Sequence, residues 1–192
     1  MLHGIVLCGG LSRRMGSPKA LLPWGDVNLL GHAVRRLAGA QLRPLCAGPQ
    51  EWTAGLACEV LADDPPAVGP LGGISAGLSR GDCFVLGVDM PLLSSEEITR
   101  LVQAGAEAGL ALLPQVAGRL QPLAAFWPRT LLPDLRRYLD EGGRSVLGFL
   151  GRQATVCVDE AGLLRMGVDP SHFQGMNDPD AYRTLLKEAH GG

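Results

Sequence analysis

Several large functional classes need features this sequence does not have. No uninterrupted apolar run approaches the ~20 residues that carry a helix across a bilayer. Met1-Leu2-His3-Gly4 does not place a basic stretch before an apolar one, so neither a membrane span nor a secretory leader is expected. Charge of one sign is also missing. Seventeen basic residues face nineteen acidic ones for a net charge of −2, which argues against a general nucleic-acid surface. Aromatic residues are only 5% of the chain, and Trp24, Trp52 and Trp127 are too scattered to form a stacking platform for bases. The cysteines, Cys8, Cys46, Cys58, Cys83 and Cys157, are odd in number and contain no Cys-x-x-Cys. Most sit in apolar runs and read as small buried hydrophobes of a reduced, cytoplasmic chain without structural zinc. His3, His32, His172 and His190 show no ligand spacing, which favours surface or capping roles.

What remains is a chain of 192 residues, 46% hydrophobic, long enough for one well-buried core and short for two. Short apolar runs alternate with helix-like patterns. Gly4-Ile5-Val6-Leu7-Cys8 reads as a buried strand, and Leu29, Leu30, Ala33, Val34 and Leu37 recur at helical spacing. Pro44–Ala47 and Cys58–Leu61 look like the next strands, and a helix with Ile74 and Leu78 is entered through Gly69-Pro70-Leu71-Gly72-Gly73. Cys83–Val88 is the most convincing strand. Ser94 and Glu97 form a capping box ahead of Ile98, Leu101 and Val102. Further strands are expected at Ala111–Leu113 and Leu123–Phe126, with a helix from about Thr130 to Asp140. Asp178-Pro179 fits an N-cap and first helical turn of a last helix through Leu186. This alternation predicts one α/β domain spanning residues 1–192, with a mostly parallel sheet covered on both faces. Ligands of such sheets collect at the carboxyl ends of the strands, so the loop after the first strand and the turn at Asp89-Met90-Pro91 are expected to meet.

That opening loop, Leu7 to Lys19, packs three glycines, two arginines, a lysine and a proline into thirteen residues. Glycine loses more backbone freedom on ordering than any other residue, so three of them suggest that something approaches the main chain closely. The cations suggest that it is an anion. Five residues separate Gly10 from Gly16 and Ser17-Pro18-Lys19 follows, so the loop is not a P-loop, and Gly9-Gly10 cannot start a Gly-x-Gly-x-x-Gly fingerprint. A glycine turn with solvated arginines is the plain alternative.

Gly10 to Lys19, with the Leu-x-Gly before it, resembles the signature loop of nucleotidyltransferases that use a nucleoside triphosphate. The nearest match is the molybdenum-cofactor guanylyltransferase family. Four more segments follow in the family's order: Leu61-Ala62-Asp63 with Gly69–Ile74; Val88-Asp89-Met90-Pro91-Leu92-Leu93; Pro114 with Gly118-Arg119-x-Gln121-Pro122-Leu123; and Asn177-Asp178-Pro179-Asp180. The resemblance implies a three-layer, Rossmann-like nucleotidyltransferase domain of the glycosyltransferase-A kind. It implies Mg²⁺-dependent passage of GMP from GTP to the terminal phosphate of molybdopterin, with pyrophosphate leaving and a guanine dinucleotide cofactor as product. Cofactor-delivery proteins or molybdoenzyme chaperones would be partners, with no role for nucleic acid or membrane. A cytidylyltransferase acting on the same cofactor or another phosphorylated acceptor, and a binding protein without turnover, are the rival readings.

The same resemblance implies a site. Leu7, Cys8, Gly9, Gly10, Ser12, Asp63 and Gly69 would line the nucleotide, Lys19 and Arg14 would meet its phosphates, and Asp89 would hold the metal. Arg119, Gln121 and Asn177 would face the acceptor. The residue types suit this chemistry. An attacking phosphate is already ionised, so no proton need be removed, and the barrier is repulsion between two polyanions. Taken alone, Asp89 could simply open the turn before Pro91, and Asp63 could be ordinary turn chemistry beside Asp64. Gly9 stands where cytidylyl-transferring relatives carry alanine, which leaves room for a purine and favours GTP over CTP. Cys8 replaces the family's usual alanine. At Ala47 and Gly48 the family often has an asparagine, so any contribution there must come from the backbone.

Overall fold

The computed structural model describes residues 2–9, 18–66, 68–176 and 178–190. β1 (His3–Leu7) leads through a short 3-10 turn at Lys19–Leu21 to a small hairpin, β2 (Pro23–Trp24) and β3 (Val27–Asn28), and then α1 (Leu29–Gly39). β4 (Arg43–Ala47), β5 (Glu59–Leu61), α2 (Pro70–Leu78), β6 (Cys83–Gly87) and α3 (Ser95–Ala108) follow. The second half holds β7 (Ala111–Val116), β8 (Arg119–Leu120), β9 (Ala124–Trp127), α4 (Leu132–Asp140), α5 (Val146–Leu150), β10 (Thr155–Val158), α6 (Glu160–Arg165) and α7 (Pro179–His190).

The main sheet runs β10-β7-β9-β6-β1-β4-β5, with β8 hung on β7. β1 is parallel to both β4 and β6, with Ile5 opposite Leu45 on one side and Val85 on the other. β9 lies antiparallel between β6 and β7, while β10 is parallel to β7. The carboxyl ends of β1, β4, β5, β6, β7 and β10 therefore share one edge, which is where the opening loop and the Asp89 turn emerge.

Side-chain alternation along the strands sorts the core into two layers, as period-two geometry requires. Val6, Cys46, Phe84 and Leu86 face a cluster that includes Leu30 and Leu37 of α1 and Ile98 and Leu101 of α3. Ile5, Leu45, Cys83 and Val85 face another with Leu71, Ile74 and Leu78 of α2 and Leu135 of α4. Leu163 of α6 and Leu185 of α7 join the first layer, and Phe149 of α5 the second. The three-layer α/β expectation holds.

Local signals act as anticipated at several ends. Ser94 Oγ accepts from the Glu97 amide at 3.2 Å while the Ser94 amide donates to Glu97 Oε2 at 2.8 Å, closing the capping box. Asp178 Oδ1 accepts from the amides of Asp180 and Ala181, and α7 runs on to His190, past the expected end at Leu186. The helix expected from Thr130 instead starts as a 3-10 turn, Arg129–Leu131, and becomes α-helical at Leu132, beside Pro133 in its first turn. One side-chain expectation fails, and most of the cysteines are buried as expected. His3 is buried in β1, not at the surface, and Cys157 is exposed on the edge strand β10, unlike buried Cys8, Cys46 and Cys83.

Candidate active site

A cavity of about 630 Å³ opens at the shared carboxyl edge of β1, β4, β5 and β6. Its floor is made by the residues that end these strands: Leu7, Cys8 and Gly9; Ala47 and Gly48; Asp63; and Gly87, Val88 and Asp89. Gly69, Pro70 and Gly73 form one wall, and Lys19 and Leu123 complete it.

Close backbone approach builds the floor. The amides of Cys8 and Gly9 both donate to the Ala47 carbonyl, at 3.1 and 3.2 Å, and the Cys8 thiol donates to the same oxygen at 3.3 Å. The Gly9 amide is thus spent within the protein and is not free to donate to a ligand. Burial pushes the Cys8 thiol up to about 11, so it stays protonated at neutral pH and is no nucleophile. α2 can start against the strand ends only because Gly73 lacks a side chain: a Cβ there would stand 2.6 Å from the Ala47 Cβ. Gly69, just before Pro70, has φ +68, a left-handed conformation that glycine adopts without strain.

Among the described residues, three side chains that can carry charge at neutral pH reach the cavity. Lys19, on its 3-10 turn, places Nζ 3.3 Å from Asp89 Oδ2, with the side chains 17% and 29% exposed. The pair is dry enough to be oriented and open enough for a ligand to enter. Lys19 and Lys187 are the only lysines in a chain that otherwise draws its positive charge from arginine. Asp63 opens into the same cavity, and the partial burial of its carboxyl raises it above the usual carboxylate range. Among the described residues, no group of three or more His, Cys, Asp or Glu side chains could hold a metal.

The turn carrying Asp89 is fastened from behind. Asp89 accepts at its own carbonyl from the Met176 amide, 3.0 Å. Met176 ends a segment anchored on Glu97, whose carboxylate accepts from the Asp169 amide at 2.8 Å and from His172 Nδ1 at 2.9 Å. Burial opposes the charge on Glu97, yet the amides of Ser94 and Asp169 together with His172 outweigh it and hold the carboxyl below its ordinary value. On the other side, Arg36 of α1 donates through Nη1 to the carbonyls of Met90 and Leu93, both at 2.8 Å, and His32 Nε2 lies 2.9 Å from the Pro91 carbonyl. Arg36 is 6% exposed, and burial lowers its guanidinium to about 9, still charged at neutral pH.

Of the residues singled out in the sequence, the structure brings Leu7, Cys8, Gly9, Lys19, Asp63, Gly69 and Asp89 together around one cavity. Gly10, Ser12, Arg14 and Asn177 lie outside the described residues. Arg119 and Gln121 do not line the cavity: Arg119 is exposed on β8 and Gln121 half-buried just after it, on a hairpin beside the Leu123 wall. Gly73, Gly87 and Leu123 line the cavity although the resemblance assigns them no role; each adjoins or falls in one of its segments. Arg36 and His32 gave no signal at all, because a helix pattern does not reveal which distant carbonyls its polar residues will meet.

The pattern of the MobA-like NTP transferase domain matches residues 4–156. The chain belongs to this family. It is therefore a nucleotidyltransferase. One relative, named probable molybdenum cofactor guanylyltransferase of Pyrococcus furiosus, is 39% identical over 149 residues covering 74% of this chain and 76% of that one. The molybdenum cofactor guanylyltransferase of Cereibacter sphaeroides is 34% identical over 190 residues, 93% of this chain and 92% of its own. The crystal structure of the molybdopterin-guanine dinucleotide biosynthesis protein A of Archaeoglobus fulgidus superposes with a TM-score of 0.86 at 25% identity, covering all of both chains. The family match spans every element that borders the cavity, from β1 to Leu123.

Proposed function

We propose that this chain transfers GMP from GTP to the terminal phosphate of molybdopterin, releasing pyrophosphate and leaving the guanine dinucleotide form of the cofactor. The observation that carries the reading is the meeting of Lys19 Nζ and Asp89 Oδ2 at 3.3 Å over a cavity floored by strand ends. An acceptor phosphate oxygen would attack the α-phosphorus of GTP, and the bond from that phosphorus to the bridging oxygen of the β-phosphate would break. Both partners are polyanions, so what they need from the protein is fixed positive charge and in-line placement, not a base.

The chain's own groups suit that need. Lys19 presents a compact ammonium to the triphosphate, with Arg14 proposed as a second cation from the same loop. Gly9, with Gly10 and Ser12 beyond it, allows the main chain to lie against the nucleotide. Asp63 and Gly69, across the cavity, are assigned to the base or ribose side. Mg²⁺ takes one or two carboxylates and completes its octahedron with phosphate oxygens and water. A half-buried Asp89 beside a cation, with no multi-ligand cage among the described residues, suits an ion that arrives with the triphosphate. Bound there, the ion would neutralise phosphate charge; Asp89 would hold it, and Lys19 would pass from the carboxylate to the phosphates.

Base choice falls to Gly9. Among the described residues, a Cβ built there would meet only the Ala47 carbonyl and Gly48 Cα, each at 3.7 Å, ordinary contact distance. None of the described residues needs glycine at this position for packing, which supports a role in leaving room for a purine. The acceptor is assigned to the Leu123 side, toward Arg119 and Gln121, with Asn177 on the carboxyl-terminal turn. A cytoplasmic setting and partners that deliver or collect the cofactor belong to the same proposal.

Pyrophosphate release measured with GTP, CTP and ATP, each with and without molybdopterin and Mg²⁺, tests it. Release is expected only with GTP, acceptor and metal together. Equal turnover of CTP would turn the reading toward a cytidylyltransferase, and tight GTP binding with no release toward a carrier.

A further inference from the structure

The turn from Asp89 to Leu93 makes few bonds of its own, and its carbonyls are taken by groups from elsewhere. Asp89 accepts from Met176, Met90 and Leu93 from Arg36, and Pro91 accepts from His32. Four of five successive carbonyls are thus held from outside, three of them by two side chains one helical turn apart on α1. Since the Pro91 carbonyl can only accept, His32 must carry its proton on Nε2 to bond there.

Arg36 is an odd choice for a structural brace. It is buried and forms no ion pair with a carboxylate among the described residues, where its Nε and Nη2 also find no partner. A buried charge in that state costs stability, and an apolar side chain of similar volume is usually tolerated as well or better. Among the described residues, its side chain bonds only to the turn that carries Asp89. Arg36 is itself fixed, because Ser95 Oγ donates to its carbonyl at 3.0 Å and locks the end of α1 to the start of α3.

We infer that α1, through Arg36 and secondarily His32, is the positioning element for the Asp89 carboxylate, setting the peptide planes of residues 90–93 so that the carboxylate faces the metal that arrives with the nucleotide. This rests on the metal role proposed for Asp89. The side chains act through the turn and touch neither substrate nor metal. Residues that orient a metal ligand from behind typically matter about 10- to 100-fold in metal affinity or activity.

The test measures GTP affinity by calorimetry in excess Mg²⁺ and again in EDTA, for the wild type, Asp89→Asn, Arg36→Met and His32→Phe, with thermal melts to establish folding. Wild type is expected to bind GTP more tightly with Mg²⁺. Asp89→Asn should lose that increment, Arg36→Met should lose about tenfold or more of it, and His32→Phe a smaller part. Affinity in EDTA should stay unchanged in Arg36→Met, which separates positioning from a remote charge effect or a loosened fold, since either of those would weaken binding in both buffers. If wild type shows no Mg²⁺ increment, the metal role fails and this inference with it. If Asp89→Asn loses the increment while Arg36→Met keeps it, or if Arg36→Met weakens both conditions alike, the inference alone is overturned. Should Arg36→Met not fold, a full increment in His32→Phe overturns it.

Discussion

The carboxyl edge of the sheet is finished in two different ways. Over β1, β4, β5 and β6 the chain ends in small residues pressed against one another: Cys8 and Gly9 share the Ala47 carbonyl, and Gly73 sits against Ala47 where no side chain would fit. Over β7, β8 and β9 it ends in a protruding hairpin. Ala117 and Gly118 turn it with φ of 49 and 71, the Ala117 amide is tied to Glu160 of α6, and Arg119 is exposed upon it. The first half is defined by what the backbone can approach, the second by side chains free to be exchanged. A triphosphate, the same in every nucleoside triphosphate, calls for the first kind of surface; a particular acceptor calls for the second. Under the proposed function, this division would give specificity for the acceptor to the hairpin and chemistry to the strand ends.

The strongest way to break that division is at Asp89. Asp89→Asn keeps the volume and removes the charge, and on the proposed metal role transfer should fall about a thousandfold while the melting temperature changes little, because the carboxylate is part-exposed at the cavity and not packed in the core. Single-turnover pyrophosphate release in saturating Mg²⁺ measures it; near-normal release would take the metal away from this residue. Lys19→Ala should come next, at about a hundredfold or more in kcat/KM. Because the two side chains are paired at 3.3 Å, the double variant should lose less than the two losses multiplied.

A smaller effect, about tenfold, is expected at Gly9. A methyl in a snug pocket is worth about 1–3 kcal/mol between competing ligands. Gly9→Ala meets no obstacle among the described residues, so melting should be unaffected while the GTP-to-CTP ratio of kcat/KM shifts toward CTP. An unchanged ratio would move base choice elsewhere on the cavity wall.

The two halves also differ in how readable they were. Strand ends rich in glycine carry their meaning locally: a buried apolar run followed by Cys8-Gly9, or Gly87-Val88 followed by Asp89, states both the strand and what must follow it. Parallel strands then force those ends to one edge, so Lys19 and Asp89 could be expected to meet across seventy residues of chain. β10 escaped because Thr155–Val158 is short, half-exposed and without clean alternation, and α5 and α6 because five or six residues are too few for a helical period to show. Arg36 escaped for a different reason. Its neighbour Arg35 is exposed and pairs with Asp26, and in the sequence the two arginines are indistinguishable; only the tertiary approach of the 90–93 turn separates them.

The smallest effects sharpen the comparison through stability. The carboxyl of Asp63 is raised by partial burial at the cavity, so the folded state takes up a proton more readily than the unfolded chain, whose value is near 3.8. The sign follows from linkage: folding loses stability as pH rises from that value through the raised folded one, and above it the charged carboxylate is a constant cost. Asp63→Asn should therefore melt slightly higher than wild type at pH 7, with the two curves converging as the pH falls well below 3.8, where the carboxyl becomes neutral in both states. If Asp63 serves the nucleotide, the same variant should bind GTP more weakly, giving up function as it gains stability. Arg119→Ala on the hairpin should show neither change: no shift in melting at any pH, no change in KM for GTP, and a rise of about threefold in KM for the acceptor, the scale of one exposed polar contact. Asp63→Asn and Arg119→Ala behaving alike would erase the distinction between the two halves of the edge.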